Sequence, residues 1–298
     1  MRLGEGMDGF RVEDALAVGM PRSSLYGRRY HRPFHGVRTD RAPRDHLEKC
    51  RAAAIALPPG AIFSHRSAAV LHGIPLPRWA EPADVDVCVF EPGHRPRGAG
   101  VAGHRLARNG QRIVRLDVLD VFAPEEVWVQ LGASLPPDEL VVIGDYLITG
   151  DEPYSGKPPP VTRELLDAAL ARHGGRRGSR ALRSALQRVR YGSLSPQESR
   201  LRLALVSAGL PEPAPNYKVR GDRARVAAMI DLAYPTFGVA IEYLGDHHRS
   251  TADAYRKDIG RRERLVQFGW EVVFVTAADD FQEVATRVRT AMRRARGG

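Results

Sequence analysis

Apolar positions recur along this chain with two different periods, and the places where the period changes mark its regions. Phe10, Val12, Ala15, Leu16 and Val18 make a short helical face that Gly19 ends, and Pro21-Arg22-Ser23-Ser24 opens a second helix at Leu25. His31 to Arg38 then reads as a short extended segment. Over residues 1–44 this order suits a helix-turn-helix with a wing, and it suits a plain helical cap equally well. In the first case the exposed arginines Arg28 and Arg29 are candidate nucleic-acid contacts.

Residues 45–150 mix both periods. His46 to Leu57 and Ser64 to Leu71 have helical spacing, the second with Ser64 as N-cap. Val85 to Phe90 alternates as a strand does, Val101 to Leu106 and Arg112 to Val118 resemble further strands, and Pro124 to Leu131 and Asp138 to Ile148 are expected helices. Three consecutive prolines in Gly150 to Pro160 cannot continue a helix and favour an extended spacer, so a boundary is expected there. Within residues 151–192 two helices follow, Val161 to His173 and Arg176 to Tyr191, split by Gly174-Gly175. On the second, Leu182, Ala185, Leu186 and Val189 form the apolar stripe while Arg176, Arg180, Arg183 and Arg190 share another face. That face is either a solvated surface or one that meets phosphates.

Residues 193–298 carry the chemistry. Ser195-Pro196-Gln197-Glu198 is a capping box with proline at the first helical position, and Leu201, Leu205 and Ala208 supply the buried stripe behind it. A strand near Asn216 to Val219 is followed by Val226 to Tyr234, a turn around Pro235, and Gly238 to Leu244. Asp231 and Glu242 are equidistant from the centre of that turn, so a hairpin of this register makes them direct cross-strand neighbours. Like charges in that position destabilise a sheet, and a divalent cation between them removes the penalty. Mg²⁺, or Mn²⁺ in its place, suits one or two carboxylates completed by waters and phosphate. Alternatively one carboxylate faces solvent or pairs with Arg225 or Arg249.

Charge adds a partner class. The chain has a formal net charge of +10, of which residues 161–192 contribute +6 through eight arginines against Glu164 and Asp167. A local basic excess favours a polyanion such as DNA. No apolar run approaches the ~20 residues of a membrane span, and the start lacks the apolar core of a signal peptide, so a cytoplasmic protein is expected. Cys50 and Cys88 lie far apart without partners at zinc spacing, which points to buried thiols.

The ordered strings Ile230-Asp231-Leu232, Val239 to His248, Tyr255 to Asp258, Arg261-Arg262 and Gly269 to Val273 resemble the family of unknown function related to the very short patch repair (Vsr-like) endonucleases. That family is a branch of the PD-(D/E)XK nucleases. The resemblance covers about Ser193 to Arg294 and implies an α/β (α+β) restriction-endonuclease-like domain, a mixed sheet flanked by helices, with metal-dependent cleavage of DNA. It assigns Asp231 and Glu242 as signature acids, Glu198 as the acid on the preceding helix and a third metal ligand, and His248 as the histidine beyond Gly245. Where the signature has lysine, two residues after the second acid, this chain has Leu244. His248 or His247 is then the candidate general base, and Lys257 or Lys218 the candidate cation.

In the front half Phe63 to Ala69, Leu71 to Leu76 and Gly36-Val37-Arg38 resemble AbiEi-type antitoxins and regulators, in which a winged helix-turn-helix precedes a mixed domain. This likeness implies a DNA-binding front end and a cognate toxin or regulatory partner. His65 and His72 are expected to pack helices rather than catalyse. Two functions compete: a metal-dependent DNA endonuclease of repair or defence, and an AbiEi-like transcriptional regulator whose nuclease fold is inactive.

Overall fold

A computed structural model describes residues 9–221, 226–244, 260 and 263–297. Its contacts define two compact units, each assembled from two stretches of chain: residues 1–143 with 161–186, and residues 144–160 with 187–298. The described residues form a mixed α/β structure with eleven α-helices and three sheets. None of these helices is long and apolar enough to cross a membrane.

The first unit opens with β1 (Gly9–Arg11), α1 (Val12–Ala17), α2 (Arg22–Tyr26) and β2 (Val37–Thr39). Val12 and Ala15 of the expected face are buried with Leu25, and Phe10 and Leu16 pack against them, whereas Val18 is 82% exposed. The extended segment pairs antiparallel with β1, ahead of the helices, with Phe10 opposite Arg38. Arg38 is buried, and its guanidinium closes the helical end of the unit by donating to the Leu25 carbonyl at 2.7 Å.

Next come α3 (His46–Ala54), β3 (Ile62–Phe63), α4 (His65–Leu71), β4 (Val85–Phe90), β5 (Val101–Leu106), β6 (Ile113–Leu116) and β7 (Leu119–Phe122). Five of these are strands of one sheet, in the order β5-β4-β3-β7-β6. The single strand expected over residues 112–118 is a hairpin, in which β6 and β7 pair antiparallel across a turn at Asp117, whose φ is +57°. Aspartate tolerates that left-handed conformation, so the turn carries no glycine to announce it. Then follow α5 (Pro124–Leu131) and α6 (Pro137–Thr149), the end of α6 and the short α7 (Glu152–Ser155) belonging to the second unit, and then α8 (Arg163–His173) and α9 (Ser179–Arg188). Two expectations change here. The proline-rich segment 150–160 contains the short helix α7, and α9 is shorter than its stripe suggested, leaving Arg176 before it and Arg190 beyond it.

The second unit is built on α10 (Pro196–Ser207), β8 (Ala214–Arg220), β9 (Val226–Tyr234), β10 (Val239–Leu244), β11 (Glu271–Thr276) and α11 (Phe281–Gly297). The sheet order is β11-β10-β9-β8, with β8, β9 and β10 antiparallel and β11 parallel to β10. Leu201 and Leu205 of α10 and Val284, Val288 and Met292 of α11 pack with Leu232, Val239 and Ile241. A second cluster unites Leu265 with Ile230, Ala233 and Ala240. Alternation along β10 explains the division, because Ile241 and Ala240 must point to opposite faces.

One buried polar contact orients α10. The Arg202 side chain is 1% exposed and pairs with Asp145, 0% exposed, at 2.8 Å. It also reaches Glu212 at 2.5 Å. Asp145 takes two more hydrogen bonds, from the Arg190 amide at 2.7 Å and the Ser199 hydroxyl at 2.7 Å. A charge pair this deep is tolerated because both Asp145 oxygens and both terminal nitrogens of Arg202 are bonded, while Arg202 Nε is buried without a partner among the described residues.

Candidate active site

The hairpin between β9 and β10 positions two of the three acids. Its register runs from Val239 opposite Tyr234 to Ile241 opposite Leu232, and one further step sets Glu242 level with Asp231, the pairing that their spacing predicts. The turn that fixes this register is Pro235–Phe237 followed by Gly238, whose φ of +60° is cheap for glycine. Asp231 is half-buried and its Oδ2 accepts from the Tyr243 amide at 2.8 Å. Glu242 is buried, at 3% exposure.

Glu198 arrives from a different element. Ser195 caps α10 by accepting from the Glu198 amide at 3.2 Å, as half of the expected box. The Glu198 carboxylate departs from the other half: its Oε2 accepts from the Leu194 amide at 2.9 Å and from Asn216 Nδ2 at 3.2 Å. Burial raises its pKa to about 7, the charge of Asp231 adds to the rise, and the bonds from Leu194, Ser195 and Asn216 oppose it. An acid on α10 and an acid on β9 therefore act on one another, although 33 positions apart in sequence.

Asn216 is the residue of this site that the sequence did not single out. The pairs Pro215–Leu232 and Tyr217–Ile230 on either side set it level with Asp231 on β8. Its φ is +45°, and its Nδ2 donates to the Gly192 carbonyl as well as to Glu198. Both partners are acceptors, so the amide can be oriented only one way. That leaves Oδ1 buried and without a hydrogen-bond partner among the described residues. Carboxylates and this amide oxygen are hard donors of the kind that Mg²⁺ and Mn²⁺ take, so the donor types fit such an ion, although the ligand atoms of the three acids do not all lie within 4.8 Å of one another.

The remaining candidates divide. His247, His248 and Lys257 lie outside the described residues. Lys218 is exposed on β8 and Leu244 is half-buried on β10. Arg176, Arg180 and Arg183 are exposed, the last two on α9. Arg190 is engaged through its backbone with Asp145 and through its guanidinium with Glu212, at 3.2 Å. Arg28 and Arg29 are exposed, the latter with its guanidinium 5.3 Å from the Tyr30 ring. His72 holds the Phe122 carbonyl at 2.7 Å, in keeping with a packing role, and both cysteines are buried and free. His65 differs from His72: it meets Asp86 and His104, two residues that no local pattern pointed to.

No family model matches the chain, and no solved structure matches it. The chain is similar to two proteins of Mycobacterium tuberculosis, the uncharacterized protein MT2308 of strain CDC 1551 and the uncharacterized protein Rv2248 of strain H37Rv. Each is 26% identical over 270 residues, covering 89% of this chain and 93% of the relative. That coverage exceeds either unit, so the likeness extends through both.

Proposed function

We propose that this protein is a metal-dependent nuclease that hydrolyses phosphodiester bonds in DNA, with a PD-(D/E)XK-like site in its second unit. The observation that carries this reading is the meeting of Glu198 from α10 with Asp231 of the β9–β10 hairpin, where Asp231 raises the Glu198 pKa. A folded protein keeps a buried acid beside a second, half-buried one at a cost, and a function that needs the charge explains why it does so.

Asp231, Glu242 and Glu198 would hold Mg²⁺ or Mn²⁺, with Asn216 Oδ1 as a further oxygen. The ion's contribution would be to polarise the phosphodiester and to acidify a water. The chain's own groups do the rest. The Tyr243 amide fixes the direction of the Asp231 carboxylate. Leu194 and Asn216 hold the Glu198 carboxyl, whose pKa burial and the charge of Asp231 raise to about 7, and a bound cation would favour its charged form. Arg176, Arg180 and Arg183 offer exposed guanidiniums to the DNA backbone.

The competing reading is an AbiEi-like regulator that binds DNA without cutting it, and Leu244 at the signature lysine position favours it. Incubating the full chain with plasmid DNA, with and without Mg²⁺ or Mn²⁺, separates the two. Nicked or linear product that requires the ion is expected. Binding with no product under any divalent ion leaves the regulator.

A further inference from the structure

The first unit holds a cluster of different chemistry. His65 stands at the start of α4, Asp86 on β4 and His104 on β5, and each offers one ligand atom within 4.8 Å of the others. His104 Nε2 is 2.8 Å from Asp86 Oδ1, and the two imidazole rings are stacked with centroids 3.8 Å apart and planes 23° apart, so the rings would turn apart for both to direct a nitrogen at one ion. We propose that His65, Asp86 and His104 bind one divalent transition-metal ion of the zinc class, at a site additional to the oxygen-rich one of the second unit.

The surroundings hold these side chains as metal ligands are held. His65 has a φ of +47°, a conformation that costs a histidine energy and that persists where its neighbours enforce it. Its amide donates to Gln130 Oε1 at 2.8 Å, and its Nδ1 lies 3.0 Å from Ser64 Oγ. Ser64 occupies the N-cap of α4, yet its side chain makes no capping bond. The hydroxyl that the sequence offers to a helix end is used on the imidazole. Asp86 is held through its amide by Ser67 Oγ at 2.7 Å, and that hydroxyl also meets His46 Nε2 at 2.8 Å. Partners behind the ligands, fixing ring direction, are the usual support of a metal centre.

Donor type selects the ion. Two imidazole nitrogens and one carboxylate oxygen suit zinc with an open position, whereas Mg²⁺ and Ca²⁺ prefer oxygen alone. Burial disfavours the charged form of the His65 ring. Both histidines line an open pocket together with His94, Arg95, Arg97 and Arg105. Its rim is brought close by Gly103, where a Cβ would stand 1.9 Å from the Pro96 carbonyl oxygen. Guanidiniums repel a bare dication, so the fourth ligand drawn from this pocket is an anionic oxygen, with phosphate the fitting class.

The test uses full-length protein carrying Asp231→Asn, so that the acidic site does not compete, after treatment with a chelator and its removal. Calorimetric titration with Zn²⁺ should give one equivalent, and Co²⁺ should develop the visible absorption of a tetrahedral centre. His65→Gln and His104→Gln should each weaken binding at least about tenfold and remove that absorption, with far-ultraviolet circular dichroism unchanged. Should either variant fail to fold, protection against diethyl pyrocarbonate in the unsubstituted rings gives the same answer: Zn²⁺ should shield His65 and His104, read by peptide mass. Absence of saturable Zn²⁺ and Co²⁺ binding, binding indifferent to both substitutions, or equal modification with and without zinc overturns the proposal. A nuclease assay has no bearing on any of these outcomes.

Discussion

Asp231 accepts a hydrogen bond at 2.8 Å from the backbone amide of Tyr243, the residue that follows Glu242. The bond ties one acid to the strand that carries the other, so the two carboxylates are held by the hairpin itself. Asp231→Asn keeps an oxygen for the amide and removes the charge, whereas Asp231→Ala removes both. Under the nuclease reading each should lower metal-dependent cleavage at least about a hundredfold, which corresponds to about 2.7 kcal/mol of barrier. Only Asp231→Ala should also destabilise the fold, as read by chemical denaturation. Wild-type cleavage by Asp231→Asn would end the assignment.

Glu198 makes stability depend on pH. Its pKa rises from 4.5 to about 7 on folding, so between those values the folded state binds more protons than the unfolded one. Stability contributed at this position is therefore present below about pH 4.5, declines as pH rises through about 7, and stays reduced above. Glu198→Gln should leave the melting temperature unchanged at low pH and raise it above that of the parent at about pH 8. Added Mg²⁺ should narrow the gap at high pH by stabilising the parent alone. Melting curves of the two proteins that stay parallel across this range would place Glu198 in a solvated setting.

Asp145 and Arg202 form a buried ion pair of the second unit. Asp145→Ala leaves the Arg202 guanidinium, 1% exposed, with the Arg188 carbonyl and the more exposed Glu212 as its partners. Loss of one partner of such a pair costs about 3–5 kcal/mol. Urea denaturation of Asp145→Ala should show a loss of that size, little relieved by salt. A fragment starting at Val161 lacks Asp145 and should melt well below the full chain, although the proline-rich segment just before it invites the cut.

The exposed arginines make a quantitative demand on DNA binding. Replacing Arg176, Arg180 and Arg183 together should reduce the slope of log affinity against log salt by roughly 0.9 for each phosphate that they neutralise in the parent. Fluorescence anisotropy with a labelled duplex over a salt series measures it. An unaltered slope assigns these side chains to solvent alone.

The sequence by itself determined whatever depends on near neighbours. Helical spacing located α8 and α10, alternation located β4, the turn around Pro235 placed β10 after β9, and Ser195 marked a cap that the structure makes. The level position of Asp231 and Glu242 was also legible, because a hairpin's register follows from the turn between its strands and the two acids are equidistant from it. The β6–β7 hairpin was not legible, since Asp117 turns the chain without glycine or proline.

Tertiary structure alone decided which distant residues meet. Asp145 sits in an apolar helical pattern that gives no hint of Arg202, and Asn216 reads as an ordinary strand residue until Glu198 and Gly192 close around it. His65, Asp86 and His104 come from a helix start and two strands, with separations of 21 and 18 residues. Periodicity reports on positions within a few residues, because it arises from local backbone geometry. Convergence of remote side chains, and the desolvation that shifts Glu198 and His65, depend on chain closure and collective burial, which no short window of sequence contains.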